Sequence, residues 1–346
     1  MSSRARAAAV GGGVLLVAIV AFFLLSNRSA SDIPIIGGIV DDPPVCALTG
    51  LEPRREALAE QPAVAVKIEN AEVAYPLSGL EDAEIVYEEL VEGGVTRFMA
   101  LYHCTDSSKA GPIRSARAVD PAIMTPTTRI LAFSGANASV MAALRDADVV
   151  VIEENAAGEA MARIPRAGLT FEHTLYADTS GIRRIGRKEF DDAPPEGTYA
   201  HGELEGRSRA ATSVTINFSG ATTVSYEWNG DGWQRSQGGA PFVAETGDQI
   251  TVDNVLIEEH DVSLSDVRDV AGTQSIEIAD VTGTGRAVLF RDGRAVVGRW
   301  VRDSVEGPVM FERRNGDEMT FAPGSIWIHL VPSEDGEVKG SFDFAK

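Results

Sequence analysis

The chain has 346 residues, of which 44% are hydrophobic and 24% are charged, and its formal net charge is −20. This composition is typical of folded proteins and excludes the disordered and collagen-like classes, and the length is sufficient for two domains. Nucleic acids and anionic lipids are bound through dense cationic surfaces. A chain this acidic, with only five lysines, is therefore not expected to bind either through its overall surface.

The N-terminal segment predicts a membrane anchor. Residues 7–26 are uncharged and, at a helical rise of ~1.5 Å per residue, long enough to cross a bilayer core of ~30 Å. Arg4 and Arg6 precede the segment, and this positive charge favours a cytoplasmic N-terminus. We predict a single-pass protein of the cell membrane, with a cytoplasmic tip and transmembrane helix at 1–27 and the bulk of the chain extracytoplasmic. A cleaved secretory signal is the alternative.

Downstream of the anchor, residues 28–45 mix Ser, Pro, Gly and Asp and predict a linker. Strands alternating with a helix then predict an N-terminal mixed α/β layer domain at 46–190. Asn137 or Ser139 is expected to cap the helix. The predicted elements are strands at 63–69, 83–90, 95–102, 128–135 and 148–155, and a helix at 137–147.

The second half has a different pattern. Residues 191–212 are rich in Pro, Gly and charge and predict a second linker. Beyond it, short alternating apolar stretches separated by Asn-Gly and Asp-Gly turns predict a mostly antiparallel β-rich domain at 213–335, followed by a tail at 336–346. The predicted fold class is therefore α+β. The tryptophans of this half suit core packing better than an exposed carbohydrate platform; they are Trp228, Trp233, Trp300 and Trp327.

Two cysteines, Cys46 and Cys104, lie in the region predicted to be outside the cell, where disulfides persist. They are candidates for a disulfide, with two unpaired buried thiols as the alternative, because sequence does not give the Cα separation. The five histidines lack metal-ligand spacing, and no nucleophile elbow, Walker loop or dinucleotide fingerprint is present. We predict no metal and no cofactor.

The segment 88–99 carries the first candidate site. If Gly93 and Gly94 form a two-residue turn, Leu90 lies opposite Arg97, and Glu88, Glu92 and Arg97 share one face of a hairpin. One interpretation is a structural ion cluster between the strands. The other is that the carboxylates aim Arg97 at a ligand.

A second group of candidates follows in the sequence AGPIRSAR at 110–117, which Pro112 prevents from being a regular helix start. One helical turn would point Arg114 and Arg117 the same way and offer forked donors to a phosphate or carboxylate, with Ser115 adding a neutral donor. Asp120 could instead be their internal counter-ion. Farther along, His173 is either structural or an acid or base near this loop.

The chain resembles the YerB-like bacterial lipoproteins, a family described as a domain of unknown function with N-terminal and C-terminal parts. The resemblance covers most of the chain after residue 45 and rests on runs such as AVKIEN, the stretch 75–102, GPIRSAR, HTLY, GTGRAVLFRDGR and GSIWIHLVP. It implies a cell-envelope protein and carries no reaction with it. This chain lacks the lipid-bearing cysteine, so a helix would replace acylation, and Thr174 stands where the family pattern suggests asparagine.

Three functions remain open. The favoured one is a non-catalytic module that binds an anionic group of an envelope polymer or lipid head group through Arg97, Arg114 and Arg117. The second is an enzyme that processes an envelope polymer, with Glu89, Asp120 and His173 as candidate catalytic residues. The third is a scaffold that binds another envelope protein through the β-rich domain.

Overall fold

The structure, a computed structural model, describes residues 43–268, 272–278 and 281–346. Within these residues no helix is long and apolar enough to span a bilayer. The anchor that we predict at 7–26 lies outside the described residues.

Helices are few and short. The α-helices are α1 (Asp120–Met124), α2 (Ala138–Asp146), α3 (Glu154–Ala157) and α4 (Thr179–Gly186). Short 3-10 helices occupy Glu56–Leu58, Glu72–Ala74, Leu80–Asp82, Glu92–Gly94, Gly158–Ala160 and Phe171–His173.

Strands make up most of the regular structure. In the first half they are β1 (Val64–Glu69), β2 (Ile85–Leu90), β3 (Thr96–Tyr102), β4 (Ile130–Ala132), β5 (Val150–Ile152), β6 (Met161–Arg163) and β7 (Leu175–Ala177). In the second half they are β8 (Arg209–Ala210), β9 (Ser213–Asn217), β10 (Thr223–Trp228), β11 (Trp233–Gln237), β12 (Ala240–Pro241), β13 (Thr251–Val252), β14 (Asn254–His260), β15 (Val262–Arg268), β16 (Gln274–Ile278), β17 (Gly283–Arg291), β18 (Arg294–Arg302), β19 (Met310–Arg313), β20 (Ile326–Pro332) and β21 (Ser341–Ala345).

One sheet combines strands of both halves, in the order β19-β18-β17-β14-β20-β2-β3-β1-β4-β5, with β8 paired to β18. Strand β20 joins the halves, because it pairs in parallel with β14 on one side and with β2 on the other. A second sheet has the order β12-β11-β10-β9-β21, with β13 paired to β11. The regions that we predict as separate domains thus meet in a continuous sheet.

The central strands of the large sheet are covered on both faces, and every residue of β1, β2, β3 and β20 is buried. One face packs against the second sheet and α4, through residues such as Tyr226, Trp233 and Ile182. The other face packs against α1 and α2, through residues such as Ile123 and Leu144. Strands covered on both sides require near-continuous apolar sequence, so a charged residue within them marks a specific partner.

The α+β class is confirmed, as are the strands at 63–69, 83–90 and 95–102 and the helix at 137–147. Asn137 caps that helix by accepting a hydrogen bond of 2.9 Å from the backbone N–H of Val140. Trp233, Trp300 and Trp327 are buried in the core, whereas Trp228 is half-buried. Cys46 and Cys104 form a disulfide with their Cα atoms 6.0 Å apart, which ties the start of the described chain to the end of β3.

Two segments are more ordered than the sequence analysis predicts. In the predicted linker 191–212, Tyr199 is buried and its hydroxyl lies 2.8 Å from that of Tyr87, and β8 adds to the large sheet. The predicted tail contains β21, which pairs with β9. The reason is the alternation of SFDFA, which places Phe342 and Phe344 on one face of that strand.

Candidate functional site

The β2–β3 connection sets the geometry of the site. It is a three-residue loop, Glu92–Gly94, closed by a hydrogen bond of 2.8 Å from the N–H of Val91 to the carbonyl of Val95. Glu89 therefore lies opposite Arg97, and Glu88 opposite Phe98. The two-residue turn that we predict is wrong by one residue, and such a slip exchanges the faces of the strand. Glu88 lies on the face opposite Arg97, and Glu89 shares the face of Arg97.

Arg97 is the centre of a group of ionic side chains on this face. We call the group the arginine cluster; it comprises Lys67, Glu69, Glu89, Glu92, Arg97, Arg114, Arg117, Asp120 and His173. Only 9% of Arg97 is exposed, and Nη1 donates a hydrogen bond of 2.9 Å to the backbone carbonyl of Ser115. Its Nε is buried without a partner. Burial, reinforced by the nearby positive charges of Arg117 and Arg114, lowers the pKa of Arg97 to about 9.

The 110–117 loop brings the other two arginines to Arg97. Residues 114–117 are irregular, so the helical turn that we predict there is absent. Just before them, Gly111 and Ile113 form isolated β-bridges with neighbouring segments. Arg117 pairs with Glu92 and donates 3.0 Å to the carbonyl of Ala116, while its Nε is also buried without a partner. Arg114 donates 3.2 Å to the carbonyl of Glu172.

Ser115 contributes mainly through its backbone. Its carbonyl accepts from Arg97, and its hydroxyl donates 3.1 Å to the carbonyl of Ser134. The hydroxyl therefore fixes the loop against the neighbouring segment. The loop conformation follows, because the backbone of Arg114 is bound on both sides, its N–H to Lys67 and its carbonyl to the N–H of Ser134.

Beneath the arginines, Lys67 is fully buried between two carboxylates. Its Nζ bonds Glu89 and lies 2.8 Å from Asp120. Asp120 also accepts 2.7 Å from the backbone N–H of Arg117. Asp120 is thus the counter-ion of Lys67 and a brace for the loop, and no guanidinium in the described part of the chain is its ion-pair partner. Burial raises the pKa of Glu89 against the opposing attraction of Lys67.

His173 belongs to a different pair. Its Nδ1 lies 2.7 Å from Glu69 Oε2, and Arg114 Nε lies 3.9 Å from the same oxygen. Burial raises the pKa of Glu69, while Arg114 and His173 act in the opposite direction. The three candidate catalytic residues therefore belong to two separate groups of ion pairs within the arginine cluster. Glu89 and Asp120 pair with Lys67, and His173 pairs with Glu69.

On the opposite face, Glu88 belongs to what we call the interlayer cluster, which links the two sheets. Its members are Asn70, Tyr75, Glu88, Thr96, Tyr226, Arg235, Gln237 and His329. Arg235 donates to both oxygens of Glu88, at 2.9 and 3.1 Å, and both side chains are fully buried. Thr96 donates 2.7 Å to the same carboxylate. Glu88 is therefore saturated and has no place in a ligand site on the Arg97 face.

The charge states of the interlayer cluster follow from its bonds. Burial alone would raise the pKa of Glu88, but Arg235 and His329 together lower it to about 2. Arg235 donates 3.0 Å to the hydroxyl of Tyr226, which lies 3.0 Å from Nε2 of His329. The Tyr226 proton then points to Nε2, which leaves the proton of a neutral ring on Nδ1; that atom lies 3.0 Å from Glu88, although its geometry does not make a hydrogen bond. Burial lowers the pKa of His329, in agreement with a neutral ring.

Sequence reasoning did not identify Lys67, Glu69, Arg235 or His329. The signal for Lys67 and His329 was available, because each interrupts a run of apolar residues in a strand, AVAVKIE and IWIHLV. A charge in such a strand implies a buried partner. The partner itself was not predictable, since Arg235 lies 147 residues from Glu88 along the chain.

Both halves of the chain are similar to known proteins. The chain matches the family described as "Protein of unknown function (DUF3048) N-terminal domain" over residues 48–191, and the corresponding C-terminal domain over residues 214–328. It is 26% identical over 330 residues to "Putative lipoprotein YerB" of Bacillus subtilis strain 168, covering 91% of this chain and 93% of that protein.

A solved structure shares the fold. The crystal structure of YerB protein from Bacillus subtilis superposes with a TM-score of 0.72 at 23% identity, covering 86% of this chain and 99% of the other. The two family matches fall on the regions on either side of residues 192–213 and together span most of the described chain. The chain therefore belongs to the DUF3048 family, the YerB-like family of unknown function.

Proposed function

We propose that this protein is a membrane-held, extracytoplasmic envelope protein whose arginine cluster binds one anionic group, a phosphate or a carboxylate. The observation that carries the proposal is Arg97, a buried guanidinium that has no ion-pair partner among the described residues and whose Nε, like that of Arg117, is buried without an acceptor. A buried donor without an acceptor costs about 1–3 kcal/mol, and an anion that accepts from both would recover that cost.

Local charge supports the same ligand class. Arg114 and Arg117 lie close enough to Arg97 to lower its pKa, so three guanidinium groups act on one small region. Glu92 and Glu69 offset part of this charge through Arg117 and Arg114, whereas Arg97 itself bonds only a neutral carbonyl among the described residues. Because the four carboxylates of the arginine cluster balance its four cations, an added negative group would be held by the unpaired guanidinium of Arg97 itself and not by an excess of positive charge.

The location rests on three observations. The Bacillus subtilis relative is named a lipoprotein, this chain carries an uncharged N-terminal segment behind two arginines, and Cys46 and Cys104 form a disulfide. Disulfides persist in oxidising compartments, which supports a position outside the cytoplasm. Candidate ligands there are teichoic or lipid phosphates and the carboxylates of peptidoglycan.

The experiment compares two double variants of equal net charge. Arg114→Gln with Arg117→Gln alters the site, and Arg187→Gln with Arg286→Gln removes two exposed arginines that pair with Asp191 and Glu259 elsewhere. Titration calorimetry with phosphate and with acetate, and retention on isolated cell wall, measure binding. We expect the site variant to lose about tenfold in affinity and the control to match wild type.

Two results would overturn the proposal. Equal affinity in the site variant and the control would assign binding to overall charge, and absence of binding by the folded wild-type protein would remove the ligand. Thermal melting of each variant establishes that it is folded.

A further inference from the structure

A second basic site lies at the far end of the large sheet from β5. A cleft of about 560 Å³ is lined by three parts of the second half. They are the segment 206–209, two residues of β18, and residues 313–315, where β19 ends in a turn. Four of its lining residues are arginines, namely Arg207, Arg209, Arg313 and Arg314, and its apolar floor is Ala295 and Val297. None of these arginines belongs to the arginine cluster.

Arg313 provides the strongest sign of a missing ligand atom. The residue is 7% exposed, and Nη1 donates 3.1 Å to the backbone carbonyl of Arg207. Its Nη2 is buried without a partner, so a charged donor at the cleft is unsatisfied. Such a group is costly in a folded protein unless something accepts from it.

The cleft is also built to hold its shape. Arg294 donates 2.7 Å from Nε to the hydroxyl of Ser208, Arg313 donates to the carbonyl of Arg207, and β8 pairs with β18, so residues 207–209 are fixed. Gly206 has a φ of +69°, and the Arg313 guanidinium lies against it, with Nη1 3.5 Å from the position of a Cβ atom. A backbone held in this left-handed conformation favours glycine.

Charge around the cleft is one-sided. Arg207, Arg209 and Arg314 are exposed, and within the described residues none of the four cleft arginines lies within 4.0 Å of a carboxylate. The neighbouring Asp317 is held by the side chain of Asn315, at 2.5 Å. In a chain of net charge −20, four unpaired guanidinium groups around one cleft select a ligand with several negative charges.

We propose that this cleft binds a compact ligand with two or more linked phosphate groups. Arg313 would donate from its free Nη2 to one phosphate, and the exposed arginines would contact the others in forked geometry. The ligand is compact because the acidic remainder of the surface repels a long polyanion. The same chemistry occurs in a soluble oligophosphate and in a lipid-borne pyrophosphate, and the experiment separates them.

The test uses the full-length protein in mild detergent and the double variant Arg209→Gln with Arg314→Gln. Calorimetry with sodium tripolyphosphate measures the soluble source, and cosedimentation with phosphatidylcholine vesicles that contain a polyprenyl pyrophosphate measures the lipid source. The control is Arg187→Gln with Arg286→Gln, which removes equal charge, and Arg114→Gln with Arg117→Gln measures how much of the binding occurs at the arginine cluster.

We expect the cleft variant to bind at least one of the two probes about tenfold more weakly than wild type, and the Arg187→Gln with Arg286→Gln control to bind within about twofold. The proposal is overturned if the cleft variant binds both probes as tightly as wild type, or if all three double variants lose affinity equally. Failure of the proposed function would instead appear as unchanged phosphate binding in the 114/117 variant. Because Arg314 is exposed, the single variant Arg314→Glu provides a second test that does not disturb the core, with the same direction expected.

Discussion

Glu88 and Glu89 are consecutive on β2 and almost equally buried, at 0% and 3% exposure, yet the pKa values of their carboxyl groups shift in opposite directions. The pKa of Glu88 falls to about 2 and that of Glu89 rises. The difference lies in the partners. Glu88 receives two hydrogen bonds from one guanidinium and one each from Thr96 and Asn70, whereas Glu89 shares a single ammonium with Asp120.

The comparison extends to the two arginines. Arg235 donates to Glu88, Tyr226 and Gln237, and the attraction of Glu88 outweighs burial and raises its pKa. Arg97 bonds one carbonyl, keeps a free Nε, and has a lowered pKa. In both arginines Nε is buried without a partner, so the difference lies in charge pairing: Arg235 is paired with Glu88, whereas Arg97 has no ion-pair partner among the described residues. Under the proposed function, this contrast distinguishes a charge paired within the protein from one that would pair with a ligand.

The largest expected effect is on the saturated side. Arg235→Met removes the partner of a fully buried carboxylate, and breaking such a pair costs about 3–5 kcal/mol of unfolding free energy. Urea denaturation at neutral pH measures the loss. The double variant with Glu88→Gln should recover part of it, because no buried charge is then left alone. A loss below about 1 kcal/mol for the single variant would show that the interlayer cluster is not a strong structural pair.

The next effect is the pH dependence of the unfolding free energy, to which the neighbouring residues Glu88 and Glu89 contribute with opposite signs. Glu88 has a folded-state pKa below its unfolded value, so its contribution is present above pH ~4.5 and is lost as pH falls toward 2. Glu88→Gln should therefore lose about 3 kcal/mol at pH 7 and little near pH 2.

Glu89 has the opposite sign. Its pKa is raised, so its ionisation disfavours folding as pH rises above the unfolded value, and Glu89→Gln should cost less at pH 7 than at pH 4. Urea melts of both variants across pH 2–8 measure this. Parallel pH profiles for the two variants would contradict the difference between the faces of β2.

Much of this architecture was predictable because it is local. Alternation and apolar runs locate β1, β2 and β3, and Asn137 marks the start of α2. The β2–β3 register was not predictable, since a two-residue and a three-residue loop both suit the pair Gly93 and Gly94 and differ only in backbone conformation. One residue of slip then assigned Glu88 to the wrong face.

Long-range pairing accounts for the rest. Sequence patterns showed strands in the second half, but nothing local indicates that β20 enters between β14 and β2. The partners of Glu88 come from that insertion and from the second sheet, so the interlayer cluster exists only once both halves have folded together. By contrast, Arg97, Arg114 and Arg117 lie within 21 positions, and a local excess of charge was enough to identify them.

A smaller effect on the unfolding free energy is expected at Arg97 than at Arg235. Arg97→Met removes a guanidinium that is buried, repelled by two neighbours and bound to one carbonyl, so the change in unfolding free energy should lie within about 1 kcal/mol of zero. The same urea assay measures it beside Arg235→Met. If Arg97→Met cost as much as Arg235→Met, Arg97 would be structural, and the idea that its free donor awaits a ligand would fail.

The smallest effect is the response to the ligand itself. Sulfate keeps its charge across the working pH range, so it tests the arginine cluster without titration of the ligand. At threefold excess over its dissociation constant it should stabilise wild-type protein by about 0.8 kcal/mol, or about 1–2 °C in melting temperature. Arg97→Met should remove this shift, and the Arg187→Gln, Arg286→Gln control should retain it.

Sodium chloride at matched ionic strength corrects for screening. A sulfate shift that survives in Arg97→Met would place the bound anion elsewhere, because only a protein group with an unmade bond can gain from the anion at that position.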